Sequence, residues 1–467
     1  MKHASTFPVN EAQIVDVLQQ EITCDPHRVR EVLAKARELK GLDKNDVAVL
    51  TTISDPELMI ELFAAARDVK EEIYGHRLVL FAPLYVSNLC SNECAYCAFR
   101  ARNTRLRRRI LTQDEIRQEV EILVSQGHKR VLLVAGESYP TEGFDYILKS
   151  IETVYGTRLD SGEIRRINVN IAPLSLDEFS RLKNADIGTY QLFQETYHRE
   201  TYAKMHTSGP KADFDWRVSA MDRAMTTGID DVGIGVLFGL ADWRFEILAL
   251  LQHAEHLEQR FGAGPHTISV PRLEPAEGSP IAAQPPHPVS DMDFKKIVAI
   301  LRLAVPYTGI IMSTRETANL RRETFALGVS QISAGSRSNP GGYLETEKND
   351  DVAGSQFQLG DHRPLDEVIR DVAALGYIPS FCTACYRLGR TGGDFMDMAK
   401  PGKIKEHCDP NALSTFMEYL IDYGSAATRA AGEKLIHDTL ASMESQPEKI
   451  SQRLLRRVRE GKRDCFC

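Results

Sequence analysis

At 467 residues the chain can bury a large core and is expected to carry two or three domains. It is 43% hydrophobic and 26% charged, and its net charge of −8 supplies no basic field to draw it to nucleic acid or a membrane surface. No apolar stretch approaches the ~18 residues of a membrane-spanning helix, and Met1-Lys-His-Ala-Ser-Thr-Phe-Pro lacks the apolar core of a secretion signal, so a cytoplasmic protein is expected.

The nine cysteines are mostly clustered, which reads as metal ligation in a reducing compartment rather than a disulfide framework. Residues 1–75 are expected to be a helical extension. Glu11–Glu21, His27–Leu39 and Pro56–Ile73 carry apolar residues at helical spacing. Cys24, alone between two of them, reads as a small buried hydrophobe. From residue 77 a strand-then-helix rhythm begins. Apolar runs at Leu78–Val86, Val131–Ala135, Ile167–Ile171, Tyr190–Phe193, Val232–Phe238, Thr267–Val270, Gly309–Met312 and Ser330–Ser333 alternate with helical patterns. One helix opens with a capping box, Thr112 and Glu115. The expected fold is a (β/α)8 TIM-type barrel over 76–350, with a partial barrel of six units as the alternative. The polar stretch Glu345-Thr-Glu-Lys-Asn-Asp-Asp351 suggests a boundary near 350. Beyond it, 351–467 is expected to be a mainly helical domain.

Catalytic groups of such barrels gather at the C-terminal ends of the strands, so the residues after each run are expected to face one site. After the first run, Cys90, Cys94 and Cys97 form a C-x3-C-x2-C array with Tyr96 before the last cysteine. A closed zinc site wants four ligands, and no fourth lies nearby. This loop resembles the signature of the radical S-adenosylmethionine (SAM) enzymes, in which three thiolates hold a 4Fe-4S cluster whose open iron chelates SAM. After the second run, Ala135-Gly-Glu-Ser138 resembles the superfamily's GGE motif. Gly136 is expected to let the ligand approach the backbone, and Glu137 to accept from the SAM ammonium. Asn168 and Asn170 are taken to follow the third run, with Asn168 a candidate cofactor-binding residue, and Glu195 of Gln194-Glu-Thr-Tyr-His198 is a candidate partner for the ribose or amino group. His266 lies in Pro265-His-Thr-Ile-Ser-Val-Pro-Arg272, taken here to follow the sixth strand and face the catalytic end. Ser313-Thr-Arg-Glu316 follows the seventh run. Arg315, with Arg322 as the fallback, is the candidate anchor for a substrate carboxylate, which the Arg fork suits. Towards the C-terminus, Cys382, Cys385 and Cys408 form a C-x2-C-x22-C array; a zinc ribbon completed by His407 is the alternative. Cys465 and Cys467 end the chain as a C-x-C tail, expected to be incidental because tails are usually mobile.

Together these motifs resemble the HydG family, the radical SAM tyrosine lyases of FeFe-hydrogenase maturation, over nearly the whole length. The residues that carry the likeness are the two cysteine triads, Gln194–His198, Pro265–Arg272, Ser313–Glu316 and the Cys382-Thr-Ala-Cys-Tyr-Arg segment with Gly389-Arg-Thr-Gly392. The related 2-iminoacetate synthases of the thiamine pathway resemble it through the barrel but lack the second triad. The resemblance implies two 4Fe-4S clusters, one binding SAM and one auxiliary, the latter carrying a labile iron ligated by His266 and a bound cysteine. It implies scission of L-tyrosine between Cα and Cβ to p-cresol and dehydroglycine, which becomes carbon monoxide and cyanide captured as an Fe(CO)2(CN)-cysteine unit. Implied partners are L-tyrosine, SAM, L-cysteine, a flavodoxin- or ferredoxin-type electron donor and other hydrogenase maturation proteins. A filled barrel core is not itself a channel, so the small products are expected to pass through a cavity beside or along it. From a different class, the rival reading is a non-catalytic iron–sulfur or zinc scaffold.

Overall fold

A computed structural model describes residues 8–20, 23–139, 141–347, 354–400 and 404–467. The boundary expected near 350 falls at 348–353, outside the described residues, as does the 1–7 segment. Eight parallel strands close into a barrel: β1 (Arg77–Ser87), β2 (Arg130–Ala135), β3 (Arg166–Asn170), β4 (Tyr190–Gln191), β5 (Val232–Gly235), β6 (Thr267–Ser269), β7 (Gly309–Met312) and β8 (Val329–Ser333). Each pairs with the next, and β8 returns to β1 with Val79 opposite Gln331 and Phe81 opposite Ser333. The complete barrel, rather than six units, is therefore formed.

Strand periodicity divides each strand between two environments. In β1, Leu78, Leu80, Ala82 and Leu84 are fully buried in the main hydrophobic core. The alternate residues Arg77, Val79, Phe81, Pro83 and Tyr85 line the barrel interior. Helices join the strands, and two start with complete capping boxes, Thr112 with Glu115 and Ser175 with Glu178. Among the described residues four helices precede the barrel, ending with Pro56–Tyr74; of these, Lys44–Thr51 is not apparent from periodicity because most of its residues are buried.

A ninth strand, β9 (Ile378–Ser380), also escapes sequence inspection, being three residues with a proline at their centre. Val79 pairs with Gln331 on one side and Ser380 on the other, so β9 occupies the lower edge of β1 that β2 leaves free. It brings Cys382 to the N-terminal mouth of the barrel. The helix Ile404–Asp422 packs over β9, and Ala426–Ser442 and Ser445–Arg459 complete the C-terminal region. No helix among the described residues is long and apolar enough to cross a membrane.

Candidate functional site

The barrel has a cavity at each mouth. The upper cavity lies at the C-terminal ends of the strands and is lined by Tyr96, Cys97, Asn170, Glu195, Ser313 and Arg315, among others. The loop that carries Cys90, Cys94 and Cys97 is held by its own polar side chains. The Arg108 guanidinium donates to the carbonyls of Asn88 (2.9 Å) and Phe99 (2.8 Å). Asn103 donates to Ala98 O at 2.8 Å, and the Tyr96 hydroxyl meets His206 Nε2 at 2.9 Å. Gly136 packs against this loop: a Cβ there would stand 2.2 Å from Leu89 O.

Beside the loop lies a buried quartet of two acids and two bases. Arg217 pairs with Glu137 at 2.9 Å, and Lys211 with Glu195 at 2.6 Å. Arg217 also approaches Glu195 at 3.9 Å. Asn92 completes the set by donating to Glu137 at 2.8 Å. Burial opposes ionisation of Glu137, but Arg217 and Lys211 outweigh it and hold the carboxyl below its usual value. Glu195 is lowered by the same two cations against the same burial. Its backbone takes φ 72°, a left-handed conformation that side-chain-bearing residues seldom adopt, and so the strain coincides with the charged rim. Lys211 and Arg217 belong to no sequence motif. A buried cation opposite two strand-end carboxylates is visible only once the chain is folded.

Arg315 enters the same cavity over the Phe357 ring, and the Ser313 hydroxyl accepts from the Arg315 N–H at 3.3 Å. Arg322 does not reach the cavity: it lies on the outer helix Ala318–Phe325, 39% exposed, paired with Asp371 at 2.9 Å. Asn168 also stays out of it. That side chain sits one inward layer below, accepting from Thr189 N at 3.0 Å, while Asn170 lines the cavity. The motif residues Arg272 and Glu316 serve one another, with Arg272 Nε 3.1 Å from both carboxylate oxygens, which ties the ends of β6 and β7 together.

The lower cavity is lined by Cys382, Cys385, Cys408, His266, Asp231, Arg77, Arg130, Tyr386 and Arg390, among others. Here the expected position of His266 is corrected. It precedes β6 instead of following it, so it faces the N-terminal mouth, opposite the upper cavity and together with the second cysteine triad. Arg130 donates to Cys382 O at 2.9 Å, and the Arg166 guanidinium lies 3.8 Å from the centre of the Tyr386 ring. Hydrogen bonding from Cys385 and the nearby Arg77 lower the Cys408 thiol, while Cys385 is raised by the same pairing and by burial. The tail is not loose. Cys465 is 3% exposed, Ser414 donates to its carbonyl at 2.8 Å, and Cys467 N donates to Asn411 Oδ1 at 2.8 Å, beside the helix that carries Cys408.

Burial raises the thiols of Cys90, Cys94 and Cys97, the last to about 11, and that of Cys382 to about 11. Protonated thiols in such surroundings need a cation to become ligands. Among the described residues no three His, Cys, Asp or Glu side chains are gathered as the ligands of one metal ion. A cubane places each cysteine on a different iron, so its thiolates stand farther apart than those around one ion. At the upper mouth Cys97 lines the cavity and shares its packing clusters with Cys94 and Cys90; at the lower mouth all three cysteines line the cavity, together with a buried carboxylate, Asp231, with no hydrogen-bond partner for either oxygen.

The two cavities approach each other along the barrel axis. Phe81, Ile311 and Ser333 line the upper one; Val79, Gly309 and Gln331 line the lower. Between them the inward positions include Gly233, Thr267 and Ser269, which are small or polar, unlike the branched aliphatic layers of a filled barrel. That layer is filled by side chains: a Cβ at Gly233 would stand 2.5 Å from Thr267 Oγ1 and 2.9 Å from Gln191 Cγ.

Residues 84–251 match the radical SAM superfamily, and residues 269–378 the biotin and thiamin synthesis associated domain. A crystal structure of HydG, a maturase of the [FeFe]-hydrogenase, is 48% identical, with TM-score 0.95, covering 98% of this chain and 100% of that one. HydG from Carboxydothermus hydrogenoformans is 40% identical, with TM-score 0.82 and coverage of 96% and 100%. The 2-iminoacetate synthase of Salmonella typhimurium is 30% identical over 349 residues, 74% of this chain and 88% of the relative.

Proposed function

The chain belongs to the HydG family of radical SAM enzymes, and we propose on that footing that it cleaves L-tyrosine to p-cresol and dehydroglycine and turns the latter into an iron-bound carbon monoxide and cyanide unit for the FeFe-hydrogenase active site. One observation carries the reading: two cysteine triads stand at opposite mouths of one barrel, each beside its own cavity, with small and polar positions between.

Cys90, Cys94 and Cys97 hold the first 4Fe-4S cluster in this reading. Bound with SAM, that cluster supplies the electron that generates a hydrogen-abstracting radical. The chain's own groups bind and orient. Glu137 and Glu195, kept ionised by Arg217 and Lys211, present acceptors to the ammonium and ribose hydroxyls of SAM. Arg315 takes the tyrosine carboxylate in its fork, and Ser313 lies beside it. The walls Phe81, Pro83, Leu132, Leu237 and Ile311 exclude water from a reactive intermediate.

At the lower mouth, Cys382, Cys385 and Cys408 hold the auxiliary cluster and His266 the labile iron, which is cargo together with L-cysteine. Dehydroglycine and its fragments travel between the cavities. The similarity to 2-iminoacetate synthase favours tyrosine scission as the first half-reaction; the lower triad is the reason to add the second. The test is anaerobic reconstitution with iron and sulfide counting, then incubation with SAM, a reductant and L-tyrosine. About eight irons per chain, or nine with the labile one, are expected, along with 5′-deoxyadenosine, p-cresol and carbon monoxide. Absence of 5′-deoxyadenosine leaves only a scaffold. About four irons with p-cresol leaves a 2-iminoacetate synthase.

A further inference from the structure

Asp231 is 2% exposed, and neither of its carboxylate oxygens has a hydrogen-bond partner among the described residues. Burying a carboxylate without a partner is costly. Its place in the fold indicates what it is kept for. Asp231 immediately precedes β5 and His266 immediately precedes β6, and the two strands are neighbours. His266 N–H donates to Val232 O at 2.9 Å, and Tyr190 N–H donates to Asp231 O at 3.1 Å. Both backbones are thereby fixed at the rim of the lower cavity. His266 Nδ1 stands 3.9 Å from Asp231 Oδ2, about 1 Å beyond an ordinary hydrogen bond. The other neighbours of the imidazole are aromatic: Phe395 with ring centres 4.6 Å apart, and Tyr386 at 6.2 Å.

We propose that Asp231 is the positioning residue of His266: its carboxylate accepts a hydrogen bond from Nδ1–H, fixing the tautomer that leaves Nε2 free for the labile iron. A metal-bound imidazole ordinarily donates its second N–H to a carboxylate or carbonyl, and removing that acceptor weakens metal binding. A small rotation of the imidazole closes the 3.9 Å gap; the Phe395 ring offers no competing acceptor, and the Tyr386 hydroxyl is engaged with the Thr189 hydroxyl at 3.3 Å. Asp231 then has the partner it lacks. The inference rests on the reading of His266 as an iron ligand.

The experiment uses full-length protein with both clusters reconstituted and measures the affinity for added ferrous iron by chelator competition. Pulsed electron paramagnetic resonance of the iron reports a coordinated imidazole nitrogen. Asp231→Leu is expected to bind iron about 10- to 100-fold more weakly, with an altered or lost nitrogen coupling. Asp231→Asn, whose amide oxygen can still accept from Nδ1–H, should lose less. Cluster iron and p-cresol formation should not change in either. Removing an unpartnered buried charge breaks no bond, so both variants should fold, and should Asp231→Leu not do so, Asp231→Asn still has to show weakened binding. Wild-type affinity and coupling in the folded Asp231 variants overturns the role of Asp231 alone. Full retention of iron by His266→Ala overturns both this role and the assignment of His266.

Discussion

The guanidinium of Arg315 lies 3.2 Å from the centre of the Phe357 ring, and it makes no ion pair among the described residues. Burial lowers its pKa from the ordinary value, with Tyr85 and Glu195 acting in opposition. A cation held against an aromatic face in a partly apolar cavity suits an incoming carboxylate. Arg315→Lys keeps the charge and loses the planar fork. A charge-assisted hydrogen bond is worth roughly 1.5–3 kcal/mol, so KM for tyrosine should rise about 10- to 100-fold while SAM binding is retained. Unaltered tyrosine saturation would move the anchor elsewhere.

The Arg217–Glu137 pair supports a second expectation. Glu137 ionises below its ordinary value in the fold, so its contribution to stability is present above about 4.5 and is lost as pH falls through the folded value. Arg217→Met leaves a buried carboxylate facing only Asn92 and the more distant Lys211. Breaking a buried pair in this way costs about 3–5 kcal/mol, and SAM affinity should fall with it. Chemical denaturation of the apo-protein and SAM titration of the reconstituted protein check the two effects separately. A variant as stable as the parent, binding SAM equally well, would show that the pair contributes nothing.

The barrel was legible in the sequence because its strands are apolar runs buried on both sides, and such runs declare themselves. Gly309–Met312 is the same in both descriptions, and the other seven runs differ from their strands only at the ends. The cysteine loop was legible for a different reason: three ligands at short fixed spacing have few other uses. Residues whose role depends on the inward register of a strand were harder to place. Asn168 and Asn170 are two positions apart on one face of β3, yet only the upper one lines the cavity. His266 was assigned to the wrong mouth because one residue decides whether a side chain precedes or follows a three-residue strand. Asp231, Arg77 and Arg130 carry no motif at all. They precede or begin strands, and only closure of the barrel brings them around the second triad.

Glu246 provides a test by pH. It lies in the first turn of the helix Trp243–Phe261 and accepts from the Thr196 hydroxyl and from Tyr197 N at 3.0 Å, fastening the motif that contains Glu195. Burial pushes its carboxyl up to about 8, with the hydrogen bonds from Thr196 and Tyr197 opposing. A raised pKa in the fold favours the protonated form. Its stabilisation is therefore complete below about 4.5 and is lost as pH rises through about 8. Glu246→Gln keeps a neutral group of the same shape, so its thermal midpoint should fall less than that of the parent across this range. Parallel pH curves for the two proteins would contradict the assignment.

The last test separates the two half-reactions. Cys90, Cys94 and Cys97 adjoin the upper cavity, while Cys382, Cys385 and Cys408 line the lower one. The mouths are distinct, so losing a thiolate at one should leave the fold at the other intact. Metal affinity depends on every deprotonated ligand. Cys94→Ala should therefore abolish 5′-deoxyadenosine, p-cresol and carbon monoxide together. Cys385→Ala should still cleave SAM and release p-cresol, since the groups assigned to SAM and tyrosine all lie around the upper cavity. Its carbon monoxide yield should fall, and it should deliver no iron–carbonyl–cyanide product. Stray cyanide is compatible with this, because dehydroglycine released from the upper site can decompose elsewhere. The measurements are p-cresol by chromatography and carbon monoxide by haem-protein absorbance on the same folded sample. A Cys385→Ala protein that forms the iron product at the parental rate would detach the second triad from the reaction and leave a tyrosine lyase whose C-terminal cysteines serve another purpose.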